Sequence, residues 1–438
     1  MTTASDTPAL NIALLGGGTV GSQVARILTE DADALTQRIG TRLNLTKILV
    51  RNPQATRDYE LPTDYYTDDV DEVFQDADIV IELMGGIDPA RELVLRAIQQ
   101  GASVVTGNKA LLATHGNELY EAAAEAGVQL SFEASVGGAI PILRPLRDSL
   151  SGDKITRIMG IVNGTTNYIL DQMDSTGASF NDALAEAQRL GYAEADPAAD
   201  VEGEDAAAKA AILAHLAFHS PFTLDQVYTE GITNISELHH KAAAEAGYVI
   251  KLLAIVEELE DPAGVVLRVH PTLLPREHPL AAVHGAYNAV FVEAENAGEL
   301  MFYGPGAGGA ATASAVMGDV TSIAKRKLRG GPGRTHTARR ELECLDIGES
   351  TTRYMVVVRA ADAPGVLAKV AGTFAEHKVS IKSMNQTPDR DSTDERQTAL
   401  LAFVTHPAKE AQLAKTLEVT KQLDVVDEVL SVMRVEGK

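Results

Sequence analysis

The sequence of 438 residues contains one cysteine, Cys344, no tryptophan, and few aromatic residues of other kinds. A single thiol excludes an internal disulfide, a cysteine-ligated zinc cluster and a redox pair within the chain. No uninterrupted apolar run approaches the length of about 18 residues that a membrane span needs, and the N-terminus lacks the features of a signal peptide. We therefore expect a cytoplasmic protein.

Basic residues are also scarce, since 38 Lys and Arg face 61 Asp and Glu, for a formal net charge of −23. A surface this acidic repels phosphate polymers, which argues against a nucleic-acid partner. An anionic cofactor would have to be met by backbone N–H groups and individually placed Arg or Lys. Because 45% of the residues are hydrophobic, the chain has enough apolar material for several cores, and we expect a multidomain protein.

Strand-like and helix-like runs alternate through the first third of the chain. The strand-like runs are LNIALL (10–15), LTKILV (45–50), ADIVIEL (77–83), ASVVTG (102–107) and VQLSFEA (128–134). This alternation predicts an α/β fold with a parallel sheet and helices on both faces. From about residue 145 the pattern changes to strand-like KITRIMGIVN, alanine-rich helical stretches, and then VVLRVHPTLL and NAVFVEAENAGELMFYG.

These changes of texture predict three domains. A doubly wound Rossmann-type cofactor domain is expected over 1–145, with a return helix near 305–330 that follows the glycine cluster GPGAGGA. An α/β domain for substrate binding and dimerisation is expected over 146–304. A polar, acidic link that contains Cys344 leads to a separate C-terminal domain over 350–438.

A glycine motif stands between the first strand and the first helix. Gly16, Gly18 and Gly21 form G-x-G-x-x-G. The glycines permit a tight turn, close approach of a pyrophosphate to the backbone, and close helix packing, while the helix N-terminus faces the phosphates. The motif in this position predicts dinucleotide binding. The alternative is a tight strand-to-helix turn without a ligand.

The second strand ends in arginine, where domains that prefer NAD carry Asp or Glu for the ribose 2′-hydroxyl. Arg51 occupies that position and Arg57 lies nearby. A guanidinium suits a 2′-phosphate, so we expect NADP(H) to be preferred over NAD(H); alternatively Arg51 is a solvated loop residue.

The strand ASVVTG leads into Asn108 and Lys109 at the carboxyl end of the sheet, where ligands of such folds bind. An exposed loop lysine is the alternative there.

The segment GYAEADPAADVEGEDAAAKAAILAHLA (191–217) concentrates charge before an alanine-rich helix, which Asp200 is expected to cap. Asp205 and Lys209 are four residues apart and so share one helix face, an arrangement that is often only a surface ion pair. The loop before them carries a group of polar side chains: Tyr192, Glu194, Asp196 and Asp200. Such a group is suited to grip an ammonium ion and to hold a lysine ready for proton transfer.

This segment resembles the signature of the homoserine dehydrogenase family. The matching positions are Gly191, Tyr192, Glu194, Pro197, Asp200, Gly203, Asp205 and Lys209. GNKALLA around Lys109, EASVGGAIP at 133–141 and NGTTNYIL at 163–170 resemble further family segments in the expected order. With the N-terminal glycines, the resemblance covers about 10–330.

The resemblance implies the interconversion of L-homoserine and L-aspartate 4-semialdehyde, within threonine, methionine and isoleucine biosynthesis. It makes Lys209 the proton donor or acceptor and Lys109 a contact to cofactor and substrate that shares the proton work. The implied substrate-binding residues are Glu194, Asp205, Tyr192, Thr165 and Asp200. The implied cofactor-binding residues are Gly16, Gly18, Thr19, Val20, Gly21, Arg51, Lys109, Gly191 and Gly306.

The resemblance also implies a monovalent cation such as Na⁺. Its site would lie at Glu133 and the main-chain carbonyls of Val136, Gly138 and Ile140, and oxygen-only ligation suits a hard ion. Without the family, EASVGGAIP is typical of an ordinary strand end and glycine turn.

The chemistry is consistent with this assignment, because aldehyde reduction needs a hydride from the nicotinamide and a proton that a desolvated lysine can supply. His215 and His219 have a metal-like spacing, but H-E-x-x-H is absent and we expect packing or surface histidines.

Residues from about 353 to 434 resemble a ferredoxin-like ACT domain. In its D-x-P-G turn, Asp362 is expected to cap the next helix and Gly365 to permit close approach of a ligand. The resemblance to amino-acid-sensing ACT domains implies L-threonine as an inhibitory effector. The alternative is a β-α-β cap that serves only dimerisation, and in either case we expect a homo-oligomer, a dimer or a tetramer.

Two other functions agree less well with the sequence. An aspartate-semialdehyde dehydrogenase needs a thiol nucleophile, whereas Cys344 lies in the link after the catalytic segments. A nucleotide and amino-acid sensor without turnover would not need the set Glu194, Asp205 and Lys209.

Overall fold

The computed structural model describes residues 9–330, 340–389 and 397–437. Part of the glycine cluster at 330–333 and most of the polar loop that follows residue 388 lie outside these ranges. In the part of the chain described, no helix is both long and apolar enough to cross a membrane.

Two compact units share the chain. The first consists of 1–164, 207–227 and 287–342, and the second of 165–206, 228–286 and 343–438.

The first third of the chain alternates strands and helices as the sequence predicts. Its elements are β1 (Leu10–Leu15), α1 (Thr19–Glu30), α2 (Ala32–Ile39), β2 (Leu43–Leu49), β3 (Tyr66–Thr67), α3 (Val70–Phe74), β4 (Ile79–Glu82), α4 (Ala90–Gln99), β5 (Ser103–Thr106), α5 (Lys109–Glu125) and β6 (Leu130–Ser131). They form a six-stranded sheet in the order β3-β2-β1-β4-β5-β6, with every pair parallel. The doubly wound Rossmann-type fold is therefore confirmed. Strand order reverses between β1 and β4, where such folds bind ligands.

The middle of the chain contributes to both units. Its elements are β7 (Ile155–Ile161), α6 (Gly164–Thr176), α7 (Phe180–Arg189), α8 (Ala198–Val201), α9 (Glu204–Phe218), β8 (Tyr228–Thr229), α10 (Glu237–Glu245), β9 (Tyr248–Glu260), β10 (Ala263–Pro275), β11 (Tyr287–Ala294), β12 (Gly298–Pro305) and α11 (Gly309–Arg329). In the first unit, β11 pairs antiparallel with β7 and β12. In the second, β9 and β10 pair antiparallel over all 13 residues of each.

Helix α11 completes the cofactor domain core from a distant part of the sequence. Its residues Val316, Val320 and Ile323 are fully buried in one cluster with Ile12 of β1 and Val24 of α1. The alanines on this face of α11, Ala313, Ala315 and Ala324, belong to the same buried cluster.

The C-terminal segment forms a helix-covered sheet. Its elements are β13 (Thr351–Ala361), α12 (Val366–Glu376), β14 (Ile381–Pro388), β15 (Thr398–Thr405), β16 (Ala408–Lys409), α13 (Glu410–Thr420) and β17 (Val426–Val435). The strand order is β17-β13-β15-β14. Alternate residues of β13, such as Tyr354 and Val356, are buried in one cluster with Phe374 of α12 and Leu413 of α13. This period of two places one face of the sheet against the two helices, and the residues between them, such as Met355 and Val357, are buried as well.

The acidic link before this segment is not the unpaired boundary that its composition suggests. Cys344 forms a parallel bridge with Val265 of β10, flanked by hydrogen bonds of 2.8 Å from Val265 N to Glu343 O and from Leu345 N to Val265 O. Further along, Thr272 and Leu273 of β10 pair in parallel with Arg434 and Val435 of β17. The C-terminal sheet is thus joined to β10 by backbone pairing.

Candidate active site

The turn between β1 and α1 has room for a phosphate at its middle glycine. A Cβ at Gly16, whose φ is +104°, would lie 2.7 Å from Leu83 O, and one at Gly21 would lie 2.1 Å from Gly16 O. A Cβ at Gly18 would meet no atom within 4 Å, and Gly18 and Thr19 are exposed at the start of α1. Two glycines are therefore required by packing, while the third leaves a cradle open at a helix N-terminus, as a pyrophosphate site requires.

Of the two arginines after β2, Arg57 is the one that lies against this turn. Its guanidinium donates to Asn52 O at 2.7 Å and to Ala55 O at 2.5 Å, and stacks 4.2 Å above the ring of Tyr66. A Cβ on Gly17 would come within 3.1 Å of Arg57 Nε. Arg51 is exposed. From the sequence we predicted that Arg57 lies near the site, but we assigned the contact to the 2′-phosphate to Arg51 alone.

The carboxyl ends of β4 and β5 are tied together by Glu82, which the sequence reasoning missed. Its carboxylate is fully buried and accepts from Thr106 Oγ1 at 2.6 Å and from Met84 N at 2.8 Å. Asn108 donates to Gly86 O at 2.6 Å and caps α5 by accepting from Leu111 N. These bonds fix the first residue of α5, Lys109, at the edge of the sheet. A carboxylate inside the apolar run ADIVIEL is the sequence signal that could have identified Glu82.

Lys209 is buried on α9. It is 8% exposed, and its Nζ donates to the main-chain oxygen of Val162, directly after β7, at 2.6 Å. The i,i+4 spacing of Asp205 and Lys209 is also compatible with a surface ion pair. Asp205 is buried as well, with 6% exposure, so neither residue lies at the surface. Buried ionisable groups on an alanine-rich helix are costly unless they serve a function or are paired.

The two histidines with metal-like spacing have packing and surface positions, as expected. His215 is buried and stacks on the ring of Tyr120 with 4.6 Å between centroids, whereas His219 is exposed. Within the described ranges, no group of three or more His, Cys, Asp or Glu side chains could hold a metal ion.

The polar loop before α9 is ordered by its backbone. Thr165 Oγ1 donates to Tyr192 O at 2.6 Å, and the rings of Tyr192 and Tyr168 lie 5.0 Å apart. Glu194 is exposed, with its main-chain oxygen accepting from Gln188 Nε2 at 3.1 Å, while Gly191 is exposed with a φ of +78°. The main chain of Glu194 is thus held by Gln188, and its side chain is exposed.

The expected cap at Asp200 is wrong. Asp200 lies within the short helix α8, its main-chain oxygen accepts from Gly203 N at 3.1 Å, and α9 begins only at Glu204. Gly203 has a φ of +87°, and this left-handed residue separates α8 from α9. The break places Asp205 in the first turn of α9, where a carboxylate interacts favourably with the helix dipole.

Glu133, expected near a cation, uses its carboxylate for other contacts. Both oxygens are taken, with Leu143 N and Arg144 N donating at 2.8 Å each. Arg144 Nε also lies 3.2 Å from Glu133 and 3.3 Å from Asp319. Burial raises the pKa of Asp319 to about 6, despite the opposing charge of Arg144. The carboxylate of Glu133 is thus already engaged by N–H donors of this chain.

The loop that follows Glu133 packs closely against the segment that contains Gly306. Gly138 has a φ of +57°, and a Cβ there would lie 2.4 Å from Gly306 O. A Cβ on Gly306 would lie 2.0 Å from Asn288 Nδ2. Val136 and Ile140 are buried. Gly306 is therefore required by packing against Asn288, whether or not it also faces the cofactor.

The D-x-P-G turn of the C-terminal segment borders an open cavity of about 390 Å³, lined by residues 361–367, Gln386 and Leu401. Gly365, with a φ of +90°, is the residue that precedes α12, and Asp362 does not cap that helix. Asp362 instead accepts from Gln386 Nε2 at 3.0 Å, which ties the turn to β14. The cap predicted for Asp362 is wrong.

A parallel sheet with an open glycine cradle at its switch point, together with buried lysine and carboxylate side chains, defines a dinucleotide-dependent α/β enzyme. Comparison with known proteins is more specific. Residues 16–133 match the NAD-binding domain of homoserine dehydrogenase, 141–321 match homoserine dehydrogenase, and 354–425 match the ACT domain. The chain belongs to the homoserine dehydrogenase family, NAD(P)-dependent oxidoreductases that act on homoserine and aspartate semialdehyde.

Similarity to individual members extends over the whole chain. The homoserine dehydrogenase of Corynebacterium glutamicum is 52% identical over 98% of this chain and 96% of its own length. That of Mycobacterium tuberculosis is 50% identical over 99% of both. The crystal structure of the enzyme from Thiobacillus denitrificans superposes with a TM-score of 0.89 at 37% identity over 98% of both chains. A hyperthermophilic archaeal homoserine dehydrogenase in complex with NADPH has a TM-score of 0.62 at 30% identity, covering 75% of this chain and 100% of its own.

Proposed function

We propose that the protein catalyses the reversible reduction of L-aspartate 4-semialdehyde to L-homoserine and prefers NADPH to NADH. The observation that carries the proposal is the buried Lys209, whose Nζ is held 2.6 Å from Val162 O. A desolvated ammonium at a fixed position is suited to give a proton to a developing alkoxide.

The side chains divide the work. When bound, the nicotinamide supplies the hydride. Lys209 holds and transfers the proton at its Nζ, and Lys109 contacts cofactor and substrate. The polar groups of the substrate are bound by Glu194, Asp205, Tyr192, Thr165 and Asp200. The cofactor is bound by Gly16, Gly18, Thr19, Val20, Gly21, Arg51, Gly191 and Gly306.

The preference for NADPH is supported by the two arginines after β2 and by the absence of an acidic residue at the end of that strand. The archaeal relative that was solved with NADPH is consistent with it. Steady-state reduction of L-aspartate 4-semialdehyde, run with NADPH and with NADH, tests both parts. We expect kcat/KM to be at least about 10-fold higher with NADPH. Equal values would contradict the preference, and no turnover with either would contradict the activity.

The cation is proposed to be Na⁺, held by the main-chain oxygens of Glu133, Val136, Gly138 and Ile140. The engaged carboxylate of Glu133 and the left-handed Gly138 support main-chain ligation. Hard monovalent ions prefer such oxygen donors. Exchange of Na⁺ for tetramethylammonium should lower the midpoint of thermal unfolding, whereas an unchanged midpoint would contradict the site.

L-Threonine is proposed as an inhibitor that binds at the D-x-P-G turn. The cavity of about 390 Å³ at this turn lies within the volume range of ligand pockets. The carboxylate of Asp362 and the open face of Gly365 offer an ammonium ligand and close approach to the backbone.

The protein is further proposed to be a homo-oligomer, a dimer or a tetramer. Strand β12 exposes Met301 and Tyr303, and Tyr303 stacks on Tyr287 at 5.2 Å. Exposed apolar side chains on one strand are typical of a protein interface. Sedimentation equilibrium would distinguish the oligomers from a monomer.

A further inference from the structure

One arginine near the C-terminus binds two carboxylates at once. Arg434 of β17 is 8% exposed. Its Nη1 and Nη2 donate to Glu230 at 3.0 and 3.1 Å, and its Nε and Nη2 donate to Glu410 at 2.9 and 2.7 Å. Two bidentate pairs fix the plane of the guanidinium and the orientation of both carboxylates.

The two carboxylates come from distant parts of the sequence. Glu410 is the first residue of α13, and Glu230 follows β8. Tyrosines complete the arrangement: Tyr354 Oη donates to Glu410 at 2.8 Å, and Tyr228 Oη donates to Glu230. The ring of Tyr228 also lies 5.5 Å from the Arg434 guanidinium. Each carboxylate is thus held by Arg434 and by one tyrosine, and the guanidinium ties Glu230 to Glu410.

Glu230 is followed by Gly231, whose backbone lies directly against the end of α8. A Cβ on Gly231 would lie 2.3 Å from Val201 O and 2.6 Å from Glu202 Cα. Ile232 N donates to the same Val201 oxygen at 2.8 Å. Backbone thus packs on backbone here, with no side chain between them to absorb a displacement.

The contact continues on the other side of Glu230. A Cβ on Gly203 would lie 3.0 Å from Thr229 Cγ2 and 3.4 Å from Val269 Cγ1. Glu230 N itself donates to Val269 O at 2.8 Å. Residues 229–232 therefore support the turn at 201–203, which separates Asp200 from Asp205.

We propose that Arg434 is a positioning residue for substrate binding, which acts through Glu230 and the 229–232 backbone to hold the turn between Asp200 and Asp205. The inference rests on the proposed substrate-binding roles of those two aspartates. Strand β17, which carries Arg434, would then contribute to the affinity for substrate. This contribution would not require an effector.

The test compares the KM for L-homoserine in Arg434→Met and Glu230→Gln with that of the unchanged enzyme, without threonine. Glu230→Gln keeps an acceptor for Arg434, so it still tests the proposal if Arg434→Met does not fold. A substitution in a chain of packed contacts changes the energetic coupling between its two ends. We therefore expect the KM for L-homoserine to rise about 3- to 10-fold. The dissociation constant for NADPH, from nucleotide fluorescence, should stay unchanged.

Arg359→Met is the matched control. Arg359 is also an arginine of the C-terminal sheet with two carboxylate partners, Asp389 at 2.7 Å and Glu428 at 3.2 Å, and both partners lie within the C-terminal segment. This variant should leave the KM for homoserine unchanged. Arg434→Lys should recover only part of the effect, because one ammonium cannot pair in a bidentate manner with two carboxylates.

Two results would overturn the inference. One is an unchanged KM in Arg434→Met and Glu230→Gln, with or without a lower unfolding temperature, which would make the cluster purely structural. The other is an equal rise in Arg359→Met. Asp205→Asn is measured beside them: if it leaves the KM unchanged, the proposed substrate role is wrong, whereas a rise in Asp205→Asn alone overturns only the role of Arg434.

Discussion

The ammonium of Lys209 and the main-chain oxygen of Val162 are joined by a hydrogen bond of 2.6 Å. Val162 directly follows β7, whose last four residues are buried. The position of the lysine nitrogen is therefore set by a strand end and not by a mobile loop, which is the rigidity that proton transfer requires.

Lys209→Ala should lower kcat by at least about 100-fold, because proton transfer by a positioned group contributes that order of rate. The affinity for NADPH, measured by fluorescence titration, should change little. Lys109→Ala, made in parallel, shows which lysine carries the proton. A Lys209 variant with most of its turnover would remove this residue from the mechanism.

Arg51→Ala should raise the KM for NADPH by roughly 10- to 100-fold, the loss expected for one charge-assisted contact to a phosphate. Kinetics with NADH should be almost unchanged, since NADH has no 2′-phosphate. Arg57→Ala serves as comparison, because its guanidinium is already bonded to Asn52 O and Ala55 O. Equal losses with both nucleotides in Arg51→Ala would show that Arg51 is structural.

Asp362→Ala should raise the half-inhibitory concentration of threonine about 10-fold or more, if its carboxylate binds the effector ammonium. Asp424→Ala is the control, since this exposed aspartate of the same domain pairs with Lys369 at 3.1 Å. Inhibition curves at fixed substrate give the comparison. An intact enzyme indifferent to threonine would favour a purely structural ACT domain.

Glu436→Met should lower the free energy of unfolding by about 1.5 to 3 kcal/mol, because it removes one charge-assisted hydrogen bond from a buried arginine. Arg268 is fully buried and donates to Glu436 at 3.0 Å and to Glu257 at 2.8 Å. Glu349→Gln breaks a pair between partly exposed side chains, Lys409 and Glu349, and should cost less than about 1 kcal/mol. Urea unfolding measures both, and similar losses would contradict the expectation.

His270 should make stability fall in acid. It is fully buried, and burial is the main cause that holds its pKa well below its ordinary value of 6.5, with Arg434 and Arg268 contributing. Below pH 6.5 the unfolded chain binds a proton that the folded chain does not, so stability decreases as the pH falls, by up to about 1.4 kcal/mol per pH unit.

His270→Gln should therefore flatten the dependence of the unfolding free energy on pH below 6.5. His406→Gln, at an exposed position, should leave the slope unchanged. An unaltered slope in His270→Gln would show that other groups dominate acid unfolding.

The features that the sequence predicted correctly depend on short-range chemistry. The strands of the parallel sheet and the glycine turn at Gly16 to Gly21 follow from periodicity and turn residues within a few positions. The family signature around Lys209 is equally local. By contrast, β9 was not among the predicted strands, because its apolar run follows alanine-rich segments that favour helix and becomes a strand by pairing with β10.

Capping was wrongly predicted at two aspartates, for a common reason. Asp200 and Asp362 stand before helices, but the backbone at Gly203 and Gly365 adopts a positive φ and places the aspartates elsewhere. A side chain suited to a cap binds the helix end only if the preceding turn delivers it there, and that turn is decided by packing.

What the sequence alone determined is therefore the strands of the parallel sheet, the glycine turn after β1 and the family signature, since each is encoded in a short stretch of chain. Only the tertiary structure decided the burial of Glu82 beside Thr106, the position of Arg57 beside Gly17, and the pairing of Arg434 with Glu230. The last two partners are separated by 204 positions in the sequence. Contacts of that range leave no periodic pattern in one sequence, because they depend on how the whole chain is folded and not on its local conformation.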